Sequence, residues 1–219
     1  MISPIELAIS CAVLAGWSPG PGGDEFPVTA ISAAEADAEM ASAMFVTESI
    51  LDVVDSRITI GPADGPPESM VANNWISGTT YGWSLSWDAS LQELSMEVRE
   101  TAWDSKLVEW SIPLESLSGM LFHADTSAAS VSVDNWVLDG IPIASDLYVD
   151  AVASRMDLLL TNLDLEQTWR LKGDLTFHWS DSMPQDASSV FAIYGLTIPA
   201  PAGVLVLLIP LVGGRRRRS

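Results

Sequence analysis

The sequence predicts an all-β protein, an antiparallel β-sandwich of the jelly-roll type with a short apolar helix at its C-terminus. Three observations lead to this prediction. Apolar and polar residues alternate with a period of two in several segments, as in strands that bury one face. Turn-forming residues separate these segments at short spacing. The 219 residues are 48% hydrophobic, which is enough to form a core and excludes disorder throughout.

The clearest hairpin is predicted between residues 81 and 98. Tyr81, Trp83, Leu85 and Trp87 alternate with small or polar residues. After a short polar segment the alternation resumes over residues 94–98. Two alternating runs joined in this way indicate an antiparallel pair of strands.

The strongest single strand is predicted at residues 169–179, where aromatic and aliphatic residues alternate with charged and polar ones. Residues 130–138 also alternate, but their phase slips at Asp134-Asn135, as it does at a β-bulge. Further strands are predicted at 49–60, 120–124, 156–161 and 189–196. The last of these is apolar on both faces and is therefore expected to be central. The tryptophans that alternate with polar residues are expected in the core, and they are Trp83, Trp87, Trp169 and Trp179.

Three parts of the chain are predicted. Residues 1–44 form a lead-in that begins with an apolar segment. This segment resembles a signal peptide, but no basic residue precedes it and Glu6 interrupts it. We therefore expect either a degenerate signal peptide or a start codon that was assigned too late. Within the lead-in, residues 33–44 favour a helix or a mobile segment. Residues 45–197 form the sandwich, and residues 198–219 form a sorting or anchor segment.

The C-terminal segment combines three features. Pro199, Ala200 and Pro201 precede an uncharged apolar run, which is closed by Arg215, Arg216, Arg217 and Arg218. Such a run closed by basic residues is a membrane stop signal with the arginines on the cytoplasmic side. As a helix it would cover roughly 18–20 Å of a hydrocarbon core about 30 Å thick. The segment therefore suits transient insertion followed by removal.

In this order of parts, the segment resembles the PEP-CTERM sorting signal of bacterial proteins handled by exosortase. Pro199-Ala200-Pro201 stands where that family usually has Pro-Glu-Pro. The resemblance implies an exported protein that is held transiently in the inner membrane. An exosortase-type membrane enzyme would then cut near the Pro-Ala-Pro segment, and the body would be released or re-anchored at the cell surface.

The sandwich segment resembles the choice-of-anchor extracellular domains of bacterial surface proteins. The resemblance lies in residues 74–88, a polar lead followed by an alternating strand that ends in Trp-Asp, and in residues 131–140 and 168–179. It implies a non-enzymatic surface or matrix domain and supplies no catalytic residues.

The charge and the cysteine content exclude several classes of protein. The net charge of −19 argues against nucleic-acid partners, because an acidic surface repels the phosphate backbone. In a matrix, the same charge would keep the product soluble or allow divalent cations to crosslink it. The single cysteine, Cys11, excludes an intrachain disulfide and any Cys-rich metal site.

The sequence gives only weak support for a catalytic site or a metal site. His123 and His178 are the only histidines and are expected at the surface or at a sheet edge; no nucleophile motif accompanies them. The carboxylates are scattered, so a glycoside hydrolase is a third hypothesis only. No cofactor is expected. Oxygen ligands for Ca²⁺ are nevertheless present at or near turns, and they are Asp134, Asn135, Asp139, Asp146 and Asp150.

The alternative function is a carbohydrate-binding module that recognises extracellular polysaccharide. Trp75, Trp103 and Trp110 are the candidates for stacking on sugar rings, which would require them to be exposed. Core packing is the competing interpretation for most of the nine tryptophans.

Overall fold

The computed structural model describes residues 25–52, 55–101, 104–114, 117–127, 129–165, 167–180 and 188–197. These residues form one helix and fourteen strands, and they are β1 (Thr29–Ala30), α1 (Ala33–Met40), β2 (Phe45–Asp52), β3 (Arg57–Pro62), β4 (Ser69–Ala72), β5 (Thr80–Asp88), β6 (Glu93–Thr101), β7 (Asp104–Ser111), β8 (Leu117–Thr126), β9 (Ser130–Leu138), β10 (Ile141–Pro142), β11 (Leu147–Val149), β12 (Arg155–Leu165), β13 (Trp169–His178) and β14 (Ser188–Leu196).

The strands form two sheets, and within each sheet these strands pair with their neighbours in antiparallel fashion. Sheet I has the order β1-β12-β8-β14-β2-β3-β4, and sheet II has the order β10-β9-β13-β5-β6-β7 with β11 beside β9. The inner faces of the two sheets share one hydrophobic core. The prediction of an all-β sandwich is therefore confirmed, whereas the predicted C-terminal helix and signal peptide lie outside the described residues.

Most of the predicted strands are present. The hairpin of residues 81–98 is β5 and β6, which pair in register from Gly82 opposite Arg99 to Asp88 opposite Glu93. The predicted bulge is present as well: the register of β9 against β13 shifts there, and Asn135 has a φ of 52°. β14 lies in the middle of sheet I, between β8 and β2, as its two apolar faces predict.

The single strand predicted at residues 49–60 is wrong. The chain reverses there, so that β2 and β3 form a hairpin in which Ile50 lies opposite Arg57. Ser56 closes the turn, because its hydroxyl donates to the Asp52 carbonyl at 2.7 Å and accepts from the Asp52 amide at 3.1 Å. The turn has no glycine or proline in its sequence, so the usual signal of a reversal is missing.

A helix does form within residues 33–44. Ser32 caps α1 in a capping box with Glu35: the Glu35 amide donates to the Ser32 hydroxyl, and the Ser32 amide donates to the Glu35 carboxylate at 2.9 Å. Ala36 of the helix is buried against Leu121 and Leu196, so α1 covers part of the outer face of sheet I. No helix in the described part of the chain is long and apolar enough to span a membrane.

Aromatic side chains join the two inner faces. Trp83 of sheet II lies 5.4 Å from Phe191 of sheet I, and Trp136 of sheet II lies 4.7 Å from Phe122 of sheet I, both measured between ring centroids. Trp83, Trp87 and Trp169 are at most 2% exposed, and Trp179 is half-buried against the same core. The large apolar area that these rings remove from water stabilises the packing of the two sheets.

Two buried threonines on the inner face of sheet I differ in whether their hydroxyl groups form hydrogen bonds. Thr47 is fully buried, and its hydroxyl has no partner among the described residues. Thr126 is 2% exposed, and its hydroxyl donates to the Ala129 carbonyl at 2.8 Å and lies 2.6 Å from the Ser189 hydroxyl.

These two threonines form a matched test of buried polar groups. We expect Thr47→Val to leave the free energy of unfolding unchanged or to raise it, because no hydrogen bond is lost and a buried hydroxyl is removed. Thr126→Val should lower it by about 1–3 kcal/mol, because the Ala129 amide and the Ser189 hydroxyl lose a partner. Urea unfolding measures both variants. Equal losses in the two would contradict the hydrogen bonding described here.

Candidate functional site

A polar cleft of about 320 Å³ lies on the outer face of sheet II. Alternation within β5 and β13 turns Gly82 and Ser84 outward on one strand and Lys172 and Asp174 outward on the other. The register then places Lys172 opposite Ser84, and Asp174 opposite Gly82. We call this feature the cationic cleft; it is lined by Gly82, Trp83, Ser84, Glu97, Arg99, Asn135, Arg170, Lys172, Gly173 and Asp174.

Two glycines make the floor of the cationic cleft. Gly82 faces outward, and a Cβ there would meet nothing closer than the Arg99 carbonyl at 3.9 Å, so its missing side chain leaves open space. Gly173 faces the core, where a Cβ would lie 3.0 Å from Cζ2 of Trp83. The indole of Trp83 therefore packs directly beneath the backbone of the floor.

The cationic cleft concentrates positive charge in an acidic protein. Arg99, Arg170 and Lys172 are three of the six basic residues that the structure describes. Arg99 donates to the Glu97 carboxylate at 2.6 Å. The Arg170 guanidinium donates to the Ser84 hydroxyl at 3.1 Å. Within the described part of the chain, neither Arg170 nor Lys172 forms an ion pair.

Two carboxylates, one in the cationic cleft and one beside it, have pKa values shifted in opposite directions. The hydrogen bond from Arg99 lowers the pKa of Glu97, with a smaller contribution from the charge of Arg170. Burial, followed by the negative charges of Asp174 and Asp146, raises the pKa of Asp134 beside the cleft. The positive side chains therefore act on Glu97, while Asp134 lies in a negative environment.

A second polar cluster lies on the outer face of sheet I, next to α1. The Asp157 side chain is only 3% exposed; it lies 2.7 Å from Nδ1 of His123 and accepts from Nε of Arg155 at 2.7 Å. Arg155 also donates from Nη2 to Asp37 of the helix at 2.7 Å. The cluster thus links β8, β12 and α1.

The cluster of Asp157 and His123 has the geometry of a base held by a carboxylate, but it lacks a nucleophile. Among the described residues, no serine, threonine or cysteine hydrogen-bonds to His123. Tyr194 lies 6.5 Å away between ring centroids, and burial raises its pKa to about 12. The arrangement is suited to fastening the helix to the sheet rather than to acyl transfer. The prediction of a surface position is right for His178, which is exposed, and wrong for His123, which is buried in the middle of the sheet.

Of the predicted stacking tryptophans, the two that the structure describes, Trp75 and Trp110, form no exposed platform. Trp75 is 7% exposed, its indole N–H donates to the Ile50 carbonyl at 2.8 Å, and its ring packs on Tyr81 and Phe177. It cannot offer a ring face to a sugar in this position. Trp110 is half-buried against the core, and Trp103 lies outside the described residues.

The carboxylates considered for Ca²⁺ take part mainly in turns and in contacts between strands. Asp139 accepts from the Arg170 amide at 2.7 Å, and Asp150 accepts from the amides of Val152 and Ala153. Asn135 donates to the Asp134 and Asp174 carboxylates at 3.0 and 2.9 Å. No group of three or more His, Cys, Asp or Glu side chains in the described ranges is arranged to hold a metal ion.

The residues of the predicted sorting segment, Pro199, Ala200, Pro201 and Arg215 to Arg218, lie outside the described residues. No protein-family model matches the chain, and no curated protein matches its sequence.

Proposed function

We propose that this chain is an exported, non-enzymatic protein of the cell surface or extracellular matrix, and that residues 198–219 are a PEP-CTERM-like sorting segment. The feature that carries the proposal is the combination of Pro199-Ala200-Pro201, the uncharged apolar run and the four terminal arginines. The sandwich is then the cargo, and an exosortase-type enzyme of the inner membrane is the processing partner.

The position of the last strand supports this division. β14 ends at Leu196, one residue short of the proposed segment, and it pairs with β8 on one side and β2 on the other. Removal of residues 198–219 would therefore take no residue from any described strand. In this proposal, cleavage releases a sandwich that keeps every described strand and whose negative charge favours solubility.

The roles of the tail residues can be tested by substitution in a bacterium that contains exosortase. Changing Arg215, Arg216, Arg217 and Arg218 together to Ala should abolish processing, because the positive charges fix the orientation of the inserted segment. The matched variant with four lysines keeps the charge and should be processed as the parent is. Cell fractionation and intact mass report both. Normal processing of the alanine variant would contradict the proposal.

A further inference from the structure

We infer that the cationic cleft is a binding site for a carboxylate-bearing saccharide, such as a uronic acid unit of an acidic polysaccharide. This assignment is independent of the sorting segment, and it uses charged side chains where the predicted platform would have used aromatic rings. Four features of the cleft carry it: its unpaired cations, the mixed charge of its lining, its polar groups that suit hydroxyls, and its glycine floor.

The unpaired cations are the first of these features. The chain has 29 Asp and Glu residues against 10 Lys and Arg, so acceptors for a basic side chain are in large excess. Arg57, Arg99, Lys106 and Arg155 each form an ion pair with a carboxylate. Arg170 and Lys172 form none among the described residues, although Glu97 and Asp174 line the same cleft. These two residues project from the same face of β13 and leave a place for the negative charge of a ligand.

The charges of the lining favour a ligand group with one negative charge. Three cations and two carboxylates surround the cationic cleft, so the excess of positive charge is small. A carboxylate with one negative charge balances this excess, whereas a phosphate monoester with two would leave a net negative charge beside Glu97 and Asp174. A carboxylate also matches the planar guanidinium of Arg170, which can donate two parallel hydrogen bonds to it.

The remaining polar groups are suited to hydroxyls. Glu97 and Asp174 offer acceptors. The amide of Asn135 already donates to Asp134 and Asp174, so it offers its oxygen as an acceptor. The Ser84 hydroxyl, which accepts from Arg170, can donate. Apart from the indole edge of Trp83 beneath the floor, the lining has no apolar side chain that would accommodate a hydrophobic group. The combination fits a polyhydroxylated acid better than an apolar peptide side chain.

The glycine floor gives the ligand access to the sheet. Because Gly82 has no side chain and its Cβ position is open, a sugar ring can lie close to the backbone between β13 and β6. The volume of about 320 Å³ is at the lower end of the range of small-molecule sites, roughly 300–1,000 Å³. A site of this size takes one or two sugar units.

The test is calorimetric titration of the purified full chain with trigalacturonic acid, galactotriose and tricarballylate. Galactotriose is the neutral sugar, and tricarballylate carries carboxylates without hydroxyls. We expect trigalacturonic acid to bind at least about tenfold more tightly than either, because only this ligand uses both the cations and the hydroxyl partners. Equal binding of galactotriose would overturn the role of the carboxylate. Equal binding of tricarballylate would overturn the assignment to a saccharide, and no binding of trigalacturonic acid would overturn the site.

Variants locate the binding in the cationic cleft. Arg170→Gln with Lys172→Gln should weaken binding of trigalacturonic acid by at least about tenfold. Gly82→Val keeps every charge but places a side chain in the floor of the cleft, so it should abolish binding. The strand should tolerate this substitution, because β-branched residues suit strands. Lys106→Gln is the control, because Lys106 is paired with Asp104 outside the cleft, and it should bind as the parent does. Urea unfolding verifies that each variant is folded. Unchanged binding in folded Gly82→Val or in the folded double variant would overturn the site.

Discussion

Replacing Asp157 by alanine should lower the free energy of unfolding by about 3–5 kcal/mol. The Asp157 carboxylate is 3% exposed and receives hydrogen bonds from His123 and Arg155, each at 2.7 Å. Without it, the buried imidazole loses its acceptor, and the partly buried guanidinium loses the acceptor of its Nε and keeps only the contacts of its Nη2. The removal of one member of a buried charged cluster leaves the others uncompensated, which costs more than the cluster contributes as a whole. Urea unfolding followed by tryptophan fluorescence measures the change.

Asp37→Ala is the matched control for this effect. Asp37 accepts from the same Arg155 at 2.7 Å, but its side chain is 64% exposed, so water replaces the lost contact. We expect a loss of less than about 1 kcal/mol. If Asp37→Ala and Asp157→Ala were equally destabilising, burial would not be the cause, and the account of this cluster would be wrong.

Gly195→Ala should lower the free energy of unfolding by about 3 kcal/mol, although alanine normally suits a strand better than glycine does. Gly195 lies opposite Phe45 in the pairing of β14 with β2. A Cβ at Gly195 would lie 2.0 Å from Cε1 and 2.4 Å from Cζ of the Phe45 ring, which is fully buried. The ring has to move into a packed core, and overpacking of this kind is destabilising.

Two comparisons isolate the contact between Gly195 and Phe45. Gly82→Ala on sheet II is the control, because its Cβ would meet nothing closer than 3.9 Å, and it should cause no loss of stability. Phe45→Leu should cost less in the Gly195→Ala background than in the parent, with a coupling of about 1 kcal/mol or more. Additive effects of the two substitutions would contradict the contact.

The alternation of apolar and polar residues predicts those features of the fold that depend on a single strand. The alternation of β5, β6 and β13 fixed which residues face the core, and the phase slip at Asp134-Asn135 located the bulge. The hairpin of β2 and β3 was missed because its turn has no glycine or proline. A side-chain hydroxyl, that of Ser56, replaces the usual turn residues there.

The two polar sites depend on which strands are neighbours, and a single sequence does not report this. Alternation does place Lys172 and Gly82 on polar faces of their strands, but only the pairing of β13 with β5 brings those faces together. Likewise, Asp157 lies opposite His123 through the register of β12 against β8. Trp75 was misjudged for the same reason: it lies outside any alternating strand, and its burial comes from Tyr81 and Phe177, which belong to other segments.

The central claim, that the sandwich is the cargo of a cleavable sorting segment, is tested most directly by intact mass. The chain would be expressed in a host with exosortase and in the same host without it, and each product would be fractionated. The account predicts loss of the mass C-terminal to the Pro199-Ala200-Pro201 segment only in the host with exosortase. An uncut chain in both hosts, retained at the inner membrane, would show that the segment is a plain anchor and would contradict the claim.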